Sequence, residues 1–326
     1  MSTTEPMPRS LNAPELVYNH HSFGKMMNHL RGQTLLALDT ESDSLYRYYP
    51  RVCLIQITTF ATDPTGAEDV VDYLLDPLRF ADLSTLAALV ADPDVEVILH
   101  AAENDVLQLQ REFDFSFGRI FDTQLACRIL GWKQVGLAAI LENEFGIVSD
   151  KRMQRTNWGK RPLTPQQIAY AQTDTHFLPV LRKRLIEELK AADRWEEAQE
   201  AFSMLASIDY SDYEPPVRSF WQMKSTRKVP RRDTGVLESV WLWREEEAQR
   251  QNRPPFKIMG ETVLVALATR RPTTVEQLTA IHGLSKISCK DMAPNYCGLS
   301  KKRVADRCLR CPRQSCGQSR HWPARC

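Results

Sequence analysis

An α/β domain with a mixed sheet flanked by helices, followed by a small all-α module, is the fold class this 326-residue sequence predicts. Three observations carry it. Short apolar, β-branched runs crowd the first hundred residues, and helical spacing dominates after them. A polar, proline-bearing stretch then separates a second block of helical periodicity. The length is generous for one domain and comfortable for two.

The runs at 34–40 (TLLALDT) and 51–59 (RVCLIQITT) read as strands joined by a polar, tyrosine-bearing turn. Residues 70–76 read as a third strand, 83–91 as a helix and 95–100 as a further short strand, with an amphipathic helix running on from there. Apolar spacings of three and four predict helix from Thr123 to Phe145. Residues 164–189 form a long helical stretch that Pro179 should break or kink. The resulting boundaries are a first domain at 14–206, a linker at 207–234, a helical module at 235–285 and a tail at 286–326.

Hydrophobic content of 43% and charged content of 25% are ordinary for a globular protein. No stretch approaches the roughly 20 apolar residues of a membrane span, and the first residues lack the pattern of a signal peptide. A cytoplasmic protein with reduced cysteines and no membrane partner is the expectation. The net charge of +1 hides an asymmetry: from Lys286 onward ten Lys/Arg face two Asp/Glu, leaving −7 for residues 1–285. Six of the eight cysteines also lie in that tail.

The chemistry begins at LLALDTES. Asp39 and Glu41 close an apolar strand, and residues two apart on a strand share one face. Unpaired buried carboxylates are costly, so two on one face at a strand end call for a cation. Asp105 follows VILHAAEN at a strand-to-helix transition, and Tyr170 and Asp174 lie four apart on one helical face. Four carboxylates from three segments suit two divalent ions, Mg²⁺ or Mn²⁺, that activate water and stabilise the leaving oxygen of a phosphodiester. A tyrosine hydroxyl one turn before the last aspartate is placed to orient that water. His100, at the end of a strand, is expected to be structural.

The ordered set ALDTES, HAAENDVLQL and YAQTD resembles the three motifs of the DnaQ-like 3′–5′ exonuclease superfamily, in its tyrosine branch. SLYRYYPRVCLIQIT, FDTQLACRILGW and KRMQRTNWGKRPLTPQQIAYAQTD extend the resemblance, over residues 14–192, to bacterial ribonuclease D. The likeness implies a ribonuclease H-like mixed sheet. It also implies Asp39, Glu41, Asp105 and Asp174 as ligands of two metal ions, and Tyr170 as the residue that orients the nucleophilic water. The implied activity is 3′-end trimming of tRNA precursors and other small RNAs, releasing nucleoside 5′-monophosphates, with no obligate protein partner. A DNA exonuclease of the same superfamily and a non-catalytic nucleic-acid-binding protein are the alternatives; the intact acidic set argues against the second. Residues 235–285 resemble the HRDC domain, which implies auxiliary nucleic-acid binding.

Lys151, Arg155 and Lys160, interleaved with Trp158, are candidates for contacting phosphates and stacking a base. The competing reading is an exposed basic loop with one anchoring tryptophan. Tyr46, Tyr48 and Tyr49 line a substrate channel or pack, with packing favoured. The basic residues of the linker (Arg218, Lys224, Arg227, Lys228, Arg231, Arg232) read as a solvated tether. In the tail, Cys308 and Cys311 with Cys316 and His321 suggest zinc, but a ribbon needs two spaced pairs and only one is present. The tail also displaces the last HRDC helix, leaving the bundle incomplete. A reading-frame shift near Lys286 accounts for both features and is favoured over a zinc module; resequencing the gene decides between them.

Overall fold

The computed structural model describes residues 11–61, 69–210, 213 and 219–284. The frameshift and zinc readings fall on residues outside that set. The chain divides into two compact units, 1–214 and 215–326.

The first unit runs β1 (Glu15–Val17), α1 (His20–Leu30), β2 (Leu35–Ser42), β3 (Val52–Phe60), β4 (Val70–Leu75), α2 (Ser84–Val90), β5 (Glu96–Leu99) and α3 (Glu103–Phe113). It continues through β6 (Arg119–Asp122), α4 (Thr123–Ile129), α5 (Leu137–Phe145), α6 (Pro165–His176), α7 (Leu178–Ala191) and α8 (Trp195–Ala206). The strands form one mixed sheet in the order β1-β4-β3-β2-β5-β6, with β3 antiparallel to β2 and β4 and the remaining pairings parallel. The expected α/β architecture is present, and every strand anticipated from the sequence lies within two residues of its expected bounds.

Two features differ from the reading of the sequence, and the break expected at Pro179 is present. The helical stretch from Thr123 to Phe145 is two helices, because Gly131 turns left-handed (φ +77°) and Gly136 opens the second. The 164–189 stretch breaks at Phe177, which puts Pro179 in the first turn of α7, where its missing N–H is no loss. β1, α1, β6 and α8 were not anticipated. β1 and β6 have three and four residues, too few for a periodic signal. α8 did carry one, since Ala198, Phe202 and Leu205 recur at spacings of four and three and are its buried face.

The sheet is covered on both faces. Leu36 and Leu38 of β2 pack toward α1, α2 and α3 through Met26, Leu86, Val106 and Leu109, whereas Ala37 packs against residues of α4, α5 and α7. Odd-numbered residues of β2 therefore face the α4–α7 side. A third cluster of Cys53, Leu54, Leu74, Trp158 and Ala171 lies on the α6 side of β3 and β4.

The second unit holds α9 (Thr234–Gln251), α10 (Pro255–Ile258), α11 (Glu261–Arg270) and α12 (Val275–Thr279). Its core joins Leu237, Val240, Trp241, Leu264, Leu267 and Leu278 to Phe220, Met223 and Val229. Residues 219–234, read from sequence as tether, thus pack into this bundle. Their three apolar anchors are dispersed among lysines and arginines, so no periodicity revealed them. Among the described residues, no helix is long and apolar enough to cross a membrane.

Candidate active site

β2 pairs with β5 only over Leu35–Ala37, while its pairing with β3 continues through Ser42. Its last residues thus overhang β5 at the carboxyl end of the sheet, where open α/β sheets place their ligand crevices. Asp39 and Glu41 stand on this overhang, both on the face that α6 covers. α6 delivers Asp174, and single oxygens of Asp39, Glu41 and Asp174 lie within 4.8 Å of one another. Tyr170, one helical turn before Asp174 on the same face, brings its hydroxyl close enough to lower the Asp174 carboxyl.

Asp105 reaches the same crevice from the other layer. It sits in the first turn of α3 and accepts the Thr40 hydroxyl at 2.5 Å. Thr40 points to the face opposite Asp39, so Asp105 stands outside the group of three. It nonetheless lies close enough that its charge acts on Asp39, Glu41 and Asp174.

The electrostatics of the set are those of a site built for a cation. Burial, then the charges of Asp105, Asp174 and Glu41, hold the Asp39 carboxyl far above the usual carboxylate range. Burial followed by repulsion from Asp174 and Asp105 pushes Glu41 up to about 9. Burial raises Asp174 to about 8 against the lowering effect of the Tyr170 hydroxyl, and Asp105 to about 6 against its hydrogen bonds from Thr40. Asp39, Glu41 and Asp174 hold protons at neutral pH unless positive charge joins them, whereas Asp105 is mostly ionised there. The donors are all hard oxygens, the kind that Mg²⁺, Mn²⁺ and Ca²⁺ select, so the residues present fit a divalent ion.

Sequence reasoning missed the residues that position this set. Gln56, fully buried in the apolar run of β3, donates Nε2 to Asp39 Oδ2 at 3.2 Å. The signal was a lone glutamine in CLIQIT. Asp122 accepts the N–H groups of Ala101 and Ala102 at 3.1 and 2.9 Å and those of Gln124 and Leu125 at 2.8 and 3.0 Å. It thereby secures the turn through Ala101 (φ +60°) that aims α3 at the crevice. α6 is tied down by Asp72 of β4, which takes Thr58 Oγ1 at 2.6 Å, Gln172 Nε2 at 2.7 Å and His176 Nδ1 at 2.7 Å, all of them buried. His100 places Nδ1 2.9 Å from the Thr123 hydroxyl, and burial pulls its pKa down to about 4, so it is a neutral structural group.

The basic loop divides. Lys151, Arg155 and Lys160 are exposed. Trp158 is 1% exposed, packed with Cys53, Leu54, Leu74 and Ala171 and 6.1 Å from the Tyr170 ring. It has no open face for a base, which corrects the stacking role considered for it. Trp158→Ala is therefore expected to cost about 3–5 kcal/mol in a denaturant melt, as large-to-small core substitutions do. A stacking residue would instead leave stability unchanged and raise KM. Tyr46 donates its hydroxyl to the Arg155 carbonyl at 2.9 Å, joining the β2–β3 loop to this one.

Comparison with known proteins agrees with the geometry. A 3′-5′ exonuclease family profile matches residues 14–190 and an HRDC domain profile matches 233–295. The ribonuclease D of Gluconacetobacter diazotrophicus is 30% identical over 275 residues, covering 84% of this chain and 67% of that protein. The chain spans about two thirds of the length of such curated relatives, 66–69% for the ribonucleases D of three species. Among solved structures, the catalytic core of RRP6 from Trypanosoma brucei superposes with a TM-score of 0.81 at 21% identity, over 94% of this chain and 84% of that one. Escherichia coli RNase D superposes with a TM-score of 0.66 at 24% identity, over 91% of this chain and 76% of that one. Fold, ordered acidic motifs and sequence relatives converge: this chain belongs to the ribonuclease D family of 3′–5′ exoribonucleases.

Proposed function

We propose that the chain trims the 3′ ends of tRNA precursors and other small structured RNAs in the cytoplasm, one nucleoside 5′-monophosphate at a time. The observation that carries this reading is the convergence of Asp39, Glu41 and Asp174, with Asp105 and Tyr170 beside them. Asp39, Glu41 and Asp174 would hold a divalent metal, Mg²⁺ or Mn²⁺, and Asp105 beside them would complete the carboxylate set for a second ion. Bound there, two such ions would lower the pKa of the attacking water and neutralise charge on the phosphate and the leaving 3′ oxygen.

The protein's own contribution is positioning. Gln56 fixes the Asp39 carboxylate through its Nε2 hydrogen bond. Asp72 holds α6 so that Tyr170 and Asp174 present one face to β2. The Tyr170 hydroxyl, already close to Asp174, is the polar group placed to orient water at the scissile phosphate. Its own ionisation is pushed far up by burial and then by the charges of Asp174 and Glu41, so it acts as a neutral hydroxyl. The helical second unit supplies an auxiliary contact to RNA.

The test is a 3′-end trimming assay on a tRNA precursor with and without Mg²⁺ or Mn²⁺, run beside a DNA strand of matching sequence. Metal-dependent release of 5′-mononucleotides from RNA supports the reading, and a preference for DNA refutes the RNA assignment. Tyr170→Phe is expected to lower kcat by about 10–100-fold with KM held within about twofold. An equal loss in kcat/KM carried wholly by KM would remove Tyr170 from the reacting centre.

A further inference from the structure

The β2–β3 loop carries a cluster outside the acidic site. Asp43, two residues after Glu41, has a side chain only 2% exposed, yet it lies between two half-exposed arginines. Its Oδ2 receives Arg47 Nε at 3.0 Å and Arg51 Nη2 at 3.1 Å, and its Oδ1 takes the Arg51 backbone N–H at 2.9 Å. The loop is built around this residue, since the Asp43 carbonyl accepts the N–H groups of Tyr46 and Arg47 and its own N–H donates to the Arg51 carbonyl.

Two guanidinium groups converge on one carboxylate oxygen, and the Glu112 carboxylate also acts on Arg51. The arginine side chains keep 39% and 38% of their surface exposed, which leaves the outer edges of both planar groups toward solvent. Guanidinium edges of this kind suit a phosphate, which takes paired N–H donors.

The cluster also lies on a continuous path to the acidic centre. Gln154 lies close enough to Tyr170 to act on its hydroxyl, the Arg155 carbonyl next to it receives the Tyr46 hydroxyl, and Tyr46 precedes Arg47. On the facing loop Gly159 comes so near that a Cβ there would stand 3.0 Å from Asp43 Oδ2. The seam between loops 43–51 and 151–160 is thus bordered by Arg47, Arg51, Arg155 and Lys160. Glu112 is the carboxylate on the Arg51 side, and it is engaged by the Val52 N–H at 2.7 Å.

We propose that Arg47 and Arg51, pre-set by buried Asp43, grip a backbone phosphate of single-stranded RNA upstream of the scissile bond, which makes the seam the path of the strand into the acidic centre. This rests on the exonuclease reading only for the name of the strand, because binding is measured without turnover. The test is fluorescence anisotropy of a 5′-labelled single-stranded RNA 12-mer, titrated across KCl concentrations, with the arginine substitutions placed in the Asp174→Asn chain and compared with Asp174→Asn alone. The arginines are examined in parallel by steady-state trimming in the otherwise native chain.

R47A/R51A is expected to weaken binding by about 10-fold per arginine at low salt and to reduce the slope of log K against log salt by about 0.7 per lost phosphate contact. In trimming, KM rises by a similar factor while kcat changes by less than about twofold. R47K/R51K, which keeps charge but loses the planar fork, should recover the salt slope and only part of the affinity. Should the double variant fail to fold, R47Q and R51Q taken singly carry the same measurement. Unchanged affinity and salt slope in a folded variant, or a loss confined to kcat, overturns the proposal. A native chain that binds the RNA but releases no nucleotide refutes the exonuclease reading and leaves the arginine result standing.

Discussion

Asp39→Asn and Asp174→Asn should each lower the rate of nucleotide release by about 10³-fold or more while leaving the protein folded. The size follows from the chemistry. The neutral amide removes a charged oxygen ligand from a centre whose metal supplies several kcal/mol of transition-state stabilisation, and about 4 kcal/mol is a factor of about 10³. Preservation of the fold follows from the surroundings. Asp39 receives the Gln56 amide, from which an asparagine oxygen can still accept. Asp174→Asn leaves α6 anchored through Gln172 and His176 on Asp72. Single-turnover trimming at saturating Mn²⁺, alongside circular dichroism, checks both halves. Retention of a tenth or more of native activity in either variant would mean that the carboxylates do not hold the catalytic metal.

The parts of this centre that were legible in the sequence are those with local register. Asp39 and Glu41 are two apart on a strand, and Tyr170 and Asp174 four apart on a helix, so each pair shares a face wherever its element lies. Nothing local revealed that Asp105 meets Thr40, 65 residues away, or that Asp72 meets His176 across 104. Those pairings depend on which layer each element joins. The same limit explains Trp158: among basic residues it looks like an RNA platform, and only the packing of α6 over β3 and β4 buries it. Arg47 and Arg51 were hidden for the opposite reason. They read as ordinary surface charges until the fold places a buried carboxylate between them.

The metal-free protein should lose stability as pH rises from about 6.5 to 8.5, and a divalent cation should reverse the trend. Asp174 and Glu41 are carboxylates whose folded pKa values, about 8 and about 9, lie above their unfolded values of 3.8 and 4.5. Below about pH 4 both states are protonated and the groups contribute nothing. Above that the unfolded chain releases protons that the folded chain keeps, so stability falls with pH until the folded values are passed. His100 has the opposite sign, since its folded pKa of about 4 lies below 6.5; its slope has halved by pH 6.5 and is gone by about pH 7.5, so the two carboxyls dominate the window. Each retained proton is worth about 1.4 kcal/mol per pH unit, so two of them across two units, less what Asp174 sheds near pH 8, give a decline on the order of 4 kcal/mol. Asp174→Asn removes both a titrating group and its repulsion of Glu41. Its metal-free melting temperature should therefore exceed that of the native chain at pH 8.5 and vary less with pH. Mn²⁺ at 100 times its Kd should add about 2.7 kcal/mol to the native chain, about 5–10 °C in Tm, and little to the variant. Differential scanning calorimetry in chelator and in Mn²⁺ at the two pH values gives all four numbers. A native chain whose metal-free stability climbs across this window would show that the four acids are not held together in the apo fold, and the two-metal reading would fall with them.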